Sequence, residues 1–176
     1  MNEMQAARFL AELGFLEDIF AGLGYPTQLV EKTPAAPYDT LLVKLAPDAR
    51  GRPVELALAF CPLNQAEAPN ILLLQYAIEL PFMVQPAKML EMAVLLSLVN
   101  NRLALGHFSL ADDDNKLQFR YVQTLPNDCD VTPKMIRGVA ELATASLARF
   151  ATTLEALAAG QITLGQAQQD VEQRNP

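Results

Sequence analysis

The sequence predicts an α+β domain: a twisted, mainly antiparallel sheet with helices packed on one face. Three observations carry that expectation. Residues 99–121, VNNRLALGHFSLADDDNKLQFRY, read as a helix end, a strand, an acidic turn and a second strand. Elements follow in the order α-β-β-β-(β)-α-β-β-α, without the strand–helix alternation that a doubly wound parallel sheet requires. Apolar residues make up 51% of the 176, ample for a buried core in one domain.

The first helix is predicted over residues 3–23. Ala6, Phe9, Leu10, Leu13, Leu16, Ile19, Phe20 and Leu23 recur at the i, i+3, i+4, i+7 spacing of one helical face. Gly22, Gly24 and Pro26 end it. Extended segments follow. Residues 27–32 are short and weakly patterned. Residues 40–45 and 53–60 flank the loop PDARGR and read as a hairpin, with Val54, Leu56, Leu58 and Phe60 on one face. The small Ala57 and Ala59 on the other face are compatible with a close neighbour. Residues 70–80 alternate Leu74, Tyr76, Ile78 and Leu80 with Gln75, Ala77 and Glu79.

Pro86 opens a second helix that is expected to run to about Ala104. Met89, Met92, Leu96, Val99 and Leu103 make one apolar face; Leu90, Val94 and Leu98 make another. A helix apolar on two sides is either central to a core or covered by a partner. The hairpin after it has one self-consistent register. Leu110 opposes Leu117 and Phe108 opposes Phe119, while Ser109 meets Gln118 and His107 meets Arg120. A slip of one residue would set Phe against Arg. Thr132 as cap and Pro133 as first residue start the last helix. Its stripe is Ile136, Val139, Ala140, Ala143, Leu147, Phe150, Leu154 and Leu157, and Gly160 stops it. Residues 1–160 are thus expected to form one domain; residues 161–176, rich in glutamine with few anchors, could make one or two weak turns around Leu164, Ala167 and Val171 and are expected to be a mobile tail.

The net charge of -7, from 13 basic and 20 acidic residues, repels phosphate backbones and argues against nucleic acid. No apolar run approaches the roughly 20 residues that span a bilayer, and MNEMQAARFL has no basic stretch followed by an apolar block, so no membrane association and a cytoplasmic location are expected. The two cysteines, Cys61 and Cys129, lie far apart and are expected as free thiols.

Val99-Asn100-Asn101, then Gly106-His107-Phe108-Ser109-Leu110, the acidic turn and Leu117-Gln118-Phe119-Arg120 resemble the YbjN family, a group held to regulate bacterial sensory transduction. The resemblance covers roughly residues 86–157. The same layout looks like the type III secretion chaperone fold. Its members are small acidic cytoplasmic proteins, generally homodimers, that hold an unfolded effector segment against their sheet. A fourth strand between residues 27 and 80 would depart from the simple chaperone layout. Neither group has a catalytic residue set, so the resemblance implies no catalytic, cofactor-binding or metal-binding residue here.

The residues themselves say the same. His107 is the only histidine, and zinc sites draw on several His or Cys ligands. The run Asp112-Asp113-Asp114-Asn115 lacks the spaced pattern of a calcium loop and reads as a solvated turn. No glycine-rich phosphate loop is present. Met83, Met89 and Met92 could mark an adaptable binding surface, but their helical spacing, or their place beside Pro81, favours the core. The expected function is therefore non-enzymatic: a chaperone-like or regulatory protein-binding module, a homodimer with an unidentified protein partner. Tyr76, Ile78, Phe82, Leu90, Val94 and Leu98 are the candidate contact residues, though each could simply complete a thick core. The rival is a small-ligand binder or enzyme with a pocket near His107 and Arg120, helped by Arg102 and Tyr121. A structural adaptor in a secretion or signalling assembly is a third reading.

Overall fold

The computed structural model describes residues 3–33, 37–62, 70–111, 115–126 and 131–174. Along them run α1 (Glu3–Gly22), β1 (Thr27–Val30), β2 (Thr40–Lys44), β3 (Glu55–Cys61), β4 (Ile71–Met83), α2 (Met89–Asn100), β5 (His107–Leu110), β6 (Lys116–Pro126), α3 (Pro133–Ala158) and α4 (Leu164–Gln173). A short 3-10 turn, Pro86–Lys88, leads into α2. The strands form one antiparallel sheet in the order β1-β2-β3-β4-β6-β5. The fold is α+β, as the pattern of elements predicts, and the fourth strand before α2 is present.

One sheet face carries the core. Leu41 and Val43, Leu56, Leu58 and Phe60, Leu74, Tyr76, Ile78 and Leu80, Leu117 and Phe119, and Phe108 are all buried, while their sequence neighbours are partly or fully exposed. This period-2 burial is what a sheet covered on one side requires. From the helix side, α1 packs over β1, β2 and β3, with Phe9 stacked on Phe60 at 5.1 Å between ring centroids. α3 lies against β4, and α2 against β5. Each fully buried Leu or Phe contributes roughly 1.5–3 kcal/mol relative to exposure.

The β5–β6 register is the one the sequence allows: His107↔Arg120, Phe108↔Phe119, Ser109↔Gln118 and Leu110↔Leu117. The tip, expected at Asp113 and Asp114, lies outside the described residues, as do Asp112 and Cys129. Gly106 leads into β5 at φ +69°, and a Cβ there would fall 2.5 Å from the Phe119 ring. Asn100 closes α2 by turning its side chain onto Phe108: its Oδ1 accepts from the Phe108 N–H at 2.8 Å, and its Nδ2 donates to the Phe108 carbonyl at 3.0 Å. The amide thus bonds Phe108 as a neighbouring strand would. That contact explains why α2 ends at Asn100 rather than near Ala104.

Three further details differ from the expectation. β4 extends to Met83 by shifting register between Glu79 and Met83, which accommodates Pro81, a residue with no N–H to give a ladder. Leu10, placed on the apolar face of α1, is 40% exposed. The segment expected as a mobile tail contains α4, with Ala167 and Val171 fully buried against α2 and α3. Two apolar residues one turn apart anchor it. Thr163 and Gln166 form a capping box at its start, and Asp170 accepts from the Thr153 hydroxyl and pairs with Arg174.

Candidate functional site

α2 is almost free of charge. MLEMAVLLSLVN holds Glu91 alone, and that carboxylate pairs with Lys88 on the preceding turn at 2.8 Å. Met92, Leu95, Leu96 and Val99 enter the core. The opposite side shows Leu90, Ala93, Val94 and Ser97, all exposed, at the spacing of one helical face. Leu90 is 80% exposed and Val94 44%. A water-facing helix stripe ordinarily carries charges; this one carries none. Beyond the helix end, residues 101–104 line a hollow with Leu142, Ala145, Ser146, Arg149 and Phe150 of α3, and Leu142 is also exposed.

The six residues expected to meet a partner therefore divide. Leu90 and Val94 stand together on the surface. Leu98 follows them at i+8, but each i+4 step rotates about 40° around the axis, so Leu98 turns inward and is half-buried. Tyr76 and Ile78 are fully buried in β4 and are not available to a partner. Alternation places them on the apolar face of the strand, and that face is sealed by helices. The Tyr76 hydroxyl donates to Gln123 Oε1 at 2.8 Å, and burial, with Tyr121 beside it, pushes its pKa well above the ordinary tyrosine value, so it stays neutral. Phe82 is half-buried at the end of β4, where it lines a different cleft.

That cleft lies between the β2–β3 loop, the last residues of β4 and α3. An ionic clamp closes one side. Asp48 Oδ2 accepts from Arg52 Nε at 2.7 Å; Arg52 Nη1 and Nη2 donate to Glu155 Oε1 and Oε2, each at 2.9 Å; and Arg50 Nη1 donates to Glu155 Oε1 at 2.9 Å. Desolvation pushes the Asp48 carboxyl up, but N–H groups of Arg52 and Arg50 and the Arg52 guanidinium outweigh it and hold its pKa low. Glu155, chiefly by hydrogen bonding, raises that of Arg52. Sequence reasoning missed this group. The loop PDARGR signalled a turn only, and Glu155 lies 103 residues beyond Arg52.

The other sheet face holds His107 and Arg120, paired in register. Arg120 Nε donates to Gln75 Oε1 at 2.8 Å, and the Cys61 thiol approaches the same oxygen at 3.6 Å. His107 is exposed, and neither it nor Arg120 lines either cleft. Arg102 borders the hollow beside α2 and donates to the Leu98 carbonyl, while Tyr121 packs against Tyr76 across the sheet. The four polar groups suggested for a catalytic pocket are thus not brought together. Among the described residues, no group of three or more His, Cys, Asp or Glu side chains is placed to hold a metal ion.

The family pattern of YbjN, described as "Putative bacterial sensory transduction regulator", matches residues 48–156. No curated protein matches the chain. Among solved structures, the chain is similar to the crystal structure of YbjN, named as a putative transcription regulator from E. coli, at 17% identity and a TM-score of 0.47, over 85% of this chain and 93% of that one.

Proposed function

The chain belongs to the YbjN family, and on that premise we propose that it is a non-enzymatic regulatory module that binds protein through the outward stripe of α2. The observation that carries this reading is the charge-free row of Leu90, Ala93, Val94 and Ser97, with Leu90 80% exposed. Apolar helix surface left in water is a feature of interaction sites. A second copy of the chain is the partner proposed first. Two molecules each carrying a net charge of -7 repel one another, and the stripe is a place where they can meet without opposing charges. Another protein's apolar helix would suit the same row. The family's description as a sensory regulator supports a binding role rather than a catalytic one. No helix among the described residues is long and apolar enough to cross a membrane, and a cytoplasmic site of action is part of the proposal.

Light scattering on the full chain and on Leu90→Glu/Val94→Glu tests it. Both side chains are exposed, so the variant is expected to keep its melting temperature while shifting from dimer to monomer. A native chain that is monomeric at high concentration, or a dimer that survives the double substitution, rejects the α2 contact between copies.

A further inference from the structure

We propose that the cleft between the β2–β3 loop, the end of β4 and α3 binds a small organic acid, a single carboxylate on an apolar body the size of a benzene ring or a short aliphatic chain. This site is separate from the α2 stripe and does not depend on it.

The size comes from the space. The cleft holds about 180 Å³. An apolar cavity of about 150 Å³ suffices for one benzene molecule. The space exists because α3 turns small side chains toward it, Ala148 and Ala151 among them, opposite Val54, Leu80 and Phe82. These supply an apolar bed for hydrocarbon.

The carboxylate comes from counting donors and acceptors at the clamp. Asp48 Oδ1 accepts from the backbone N–H groups of Arg50 and Arg52, at 2.9 and 2.8 Å, and Oδ2 from Arg52 Nε. Both oxygens of Glu155 are occupied by arginine nitrogens. Arg52 uses all three guanidinium nitrogens, one of them also on the Pro81 carbonyl at 3.3 Å. Among the described residues Arg50 bonds through Nη1 alone, and its side chain is 54% exposed at the cleft. Glu79, the third carboxylate lining the cleft, is paired through Oε1 with Lys116 at 2.6 Å. The two clamp acids are engaged at every oxygen, while Nε and Nη2 of Arg50 keep donors to spare among the described residues. A guanidinium can serve two carboxylates at once, one on each edge of its fork. A ligand carboxylate fills that edge; a cationic ligand would meet Arg50 and Arg52 with every carboxylate oxygen of the clamp already bonded.

The test is a titration of the full chain followed by amide chemical shifts in two-dimensional NMR, with benzoate and hexanoate as the acids, benzamide as the neutral analogue and benzylamine as the cation. Benzoate or hexanoate should give saturable shifts concentrated at residues 49–52 and 147–152 at concentrations up to roughly 10 mM, the range of weak specific binding. Benzamide should bind about tenfold more weakly, and Arg50→Gln should weaken the acids about tenfold without affecting benzamide. Ala148→Leu, which fills the bed, should abolish binding by all of them. Arg50 is exposed, so its variant reports even if Ala148→Leu does not fold. No saturable shift, shifts centred elsewhere, equal affinity in Arg50→Gln, or benzylamine binding as well as benzoate would each overturn the proposal.

Discussion

Gly106 shows how one residue can hold a hairpin. Its φ of +69° lies where side chains are strained, and a Cβ would meet the Phe119 ring at 2.5 Å and the Arg120 carbonyl at 2.8 Å. Neither neighbour can yield, since Phe119 is fully buried and packs edge-on to Phe108. Gly106→Ala should therefore destabilise the protein by about 3 kcal/mol, combining overpacking with the backbone cost. Urea denaturation measures it, and a loss well under ~1 kcal/mol would mean that the strand entry relaxes freely. Asp170 acts at the same scale. The Thr153 hydroxyl first, then Arg174, hold its carboxyl below the ordinary aspartate range against desolvation. A carboxylate so lowered stabilises the fold above the ordinary aspartate pKa, and that contribution is lost as pH falls through the lowered folded value. Asp170→Asn should reduce the melting temperature at neutral pH and flatten its fall at acid pH. A variant curve parallel to the native one throughout would show that the group does not link folding to pH.

The elements differ in how far they could be read from sequence. The β5–β6 register was legible, because Phe108, Leu110, Leu117 and Phe119 share one face in a single register only. The two-sided apolar character of α2 was legible too, but it left open whether Leu90 and Val94 complete a core or face outward; the structure exposes both. It could not separate Leu98 from them, because the rotation of the i+4 row matters only once the core side is known. Tyr76 and Ile78 were misplaced because alternation assigns a face but does not say which helix covers it. The clamp of Asp48, Arg52 and Glu155 was invisible, since its pairing depends on where α3 crosses the end of β4. Helix α4 was underestimated. Its anchors, Ala167 and Val171, are few, but the groove between α2 and α3 buries both completely. Removing residues 161–176 should uncover that groove and cost about 3 kcal/mol, the scale of burying one or two such side chains. Differential scanning calorimetry should show a clear drop in melting temperature; an unchanged melt would mean that α4 adds nothing to the core.

Across the described residues, the helices cover one side of a six-stranded sheet and no helix covers the other. Strand order was the main thing hidden. β6 inserts between β4 and β5, so the partners Tyr76 and Tyr121 lie 45 residues apart and nothing local announces them. Family membership, in contrast, was readable from the segment around Asn100 and Gly106, and in this chain both residues fix the entry to β5. The molecule thus presents two distinct surfaces: the charge-free stripe of α2, proposed to meet protein, and the cleft beside Arg50, proposed to take a small acid.

The Asn100 contact has a consequence for polymerisation. An edge strand with free amides is a template on which another chain can add itself, and repetition of that step builds fibres. At Phe108, in the middle of the outermost strand, both amide groups facing away from β6 are already consumed by a side chain of the same molecule. Growth of the sheet sideways from this end is blocked at its centre, which steers self-association away from endless ribbons and toward closed assemblies.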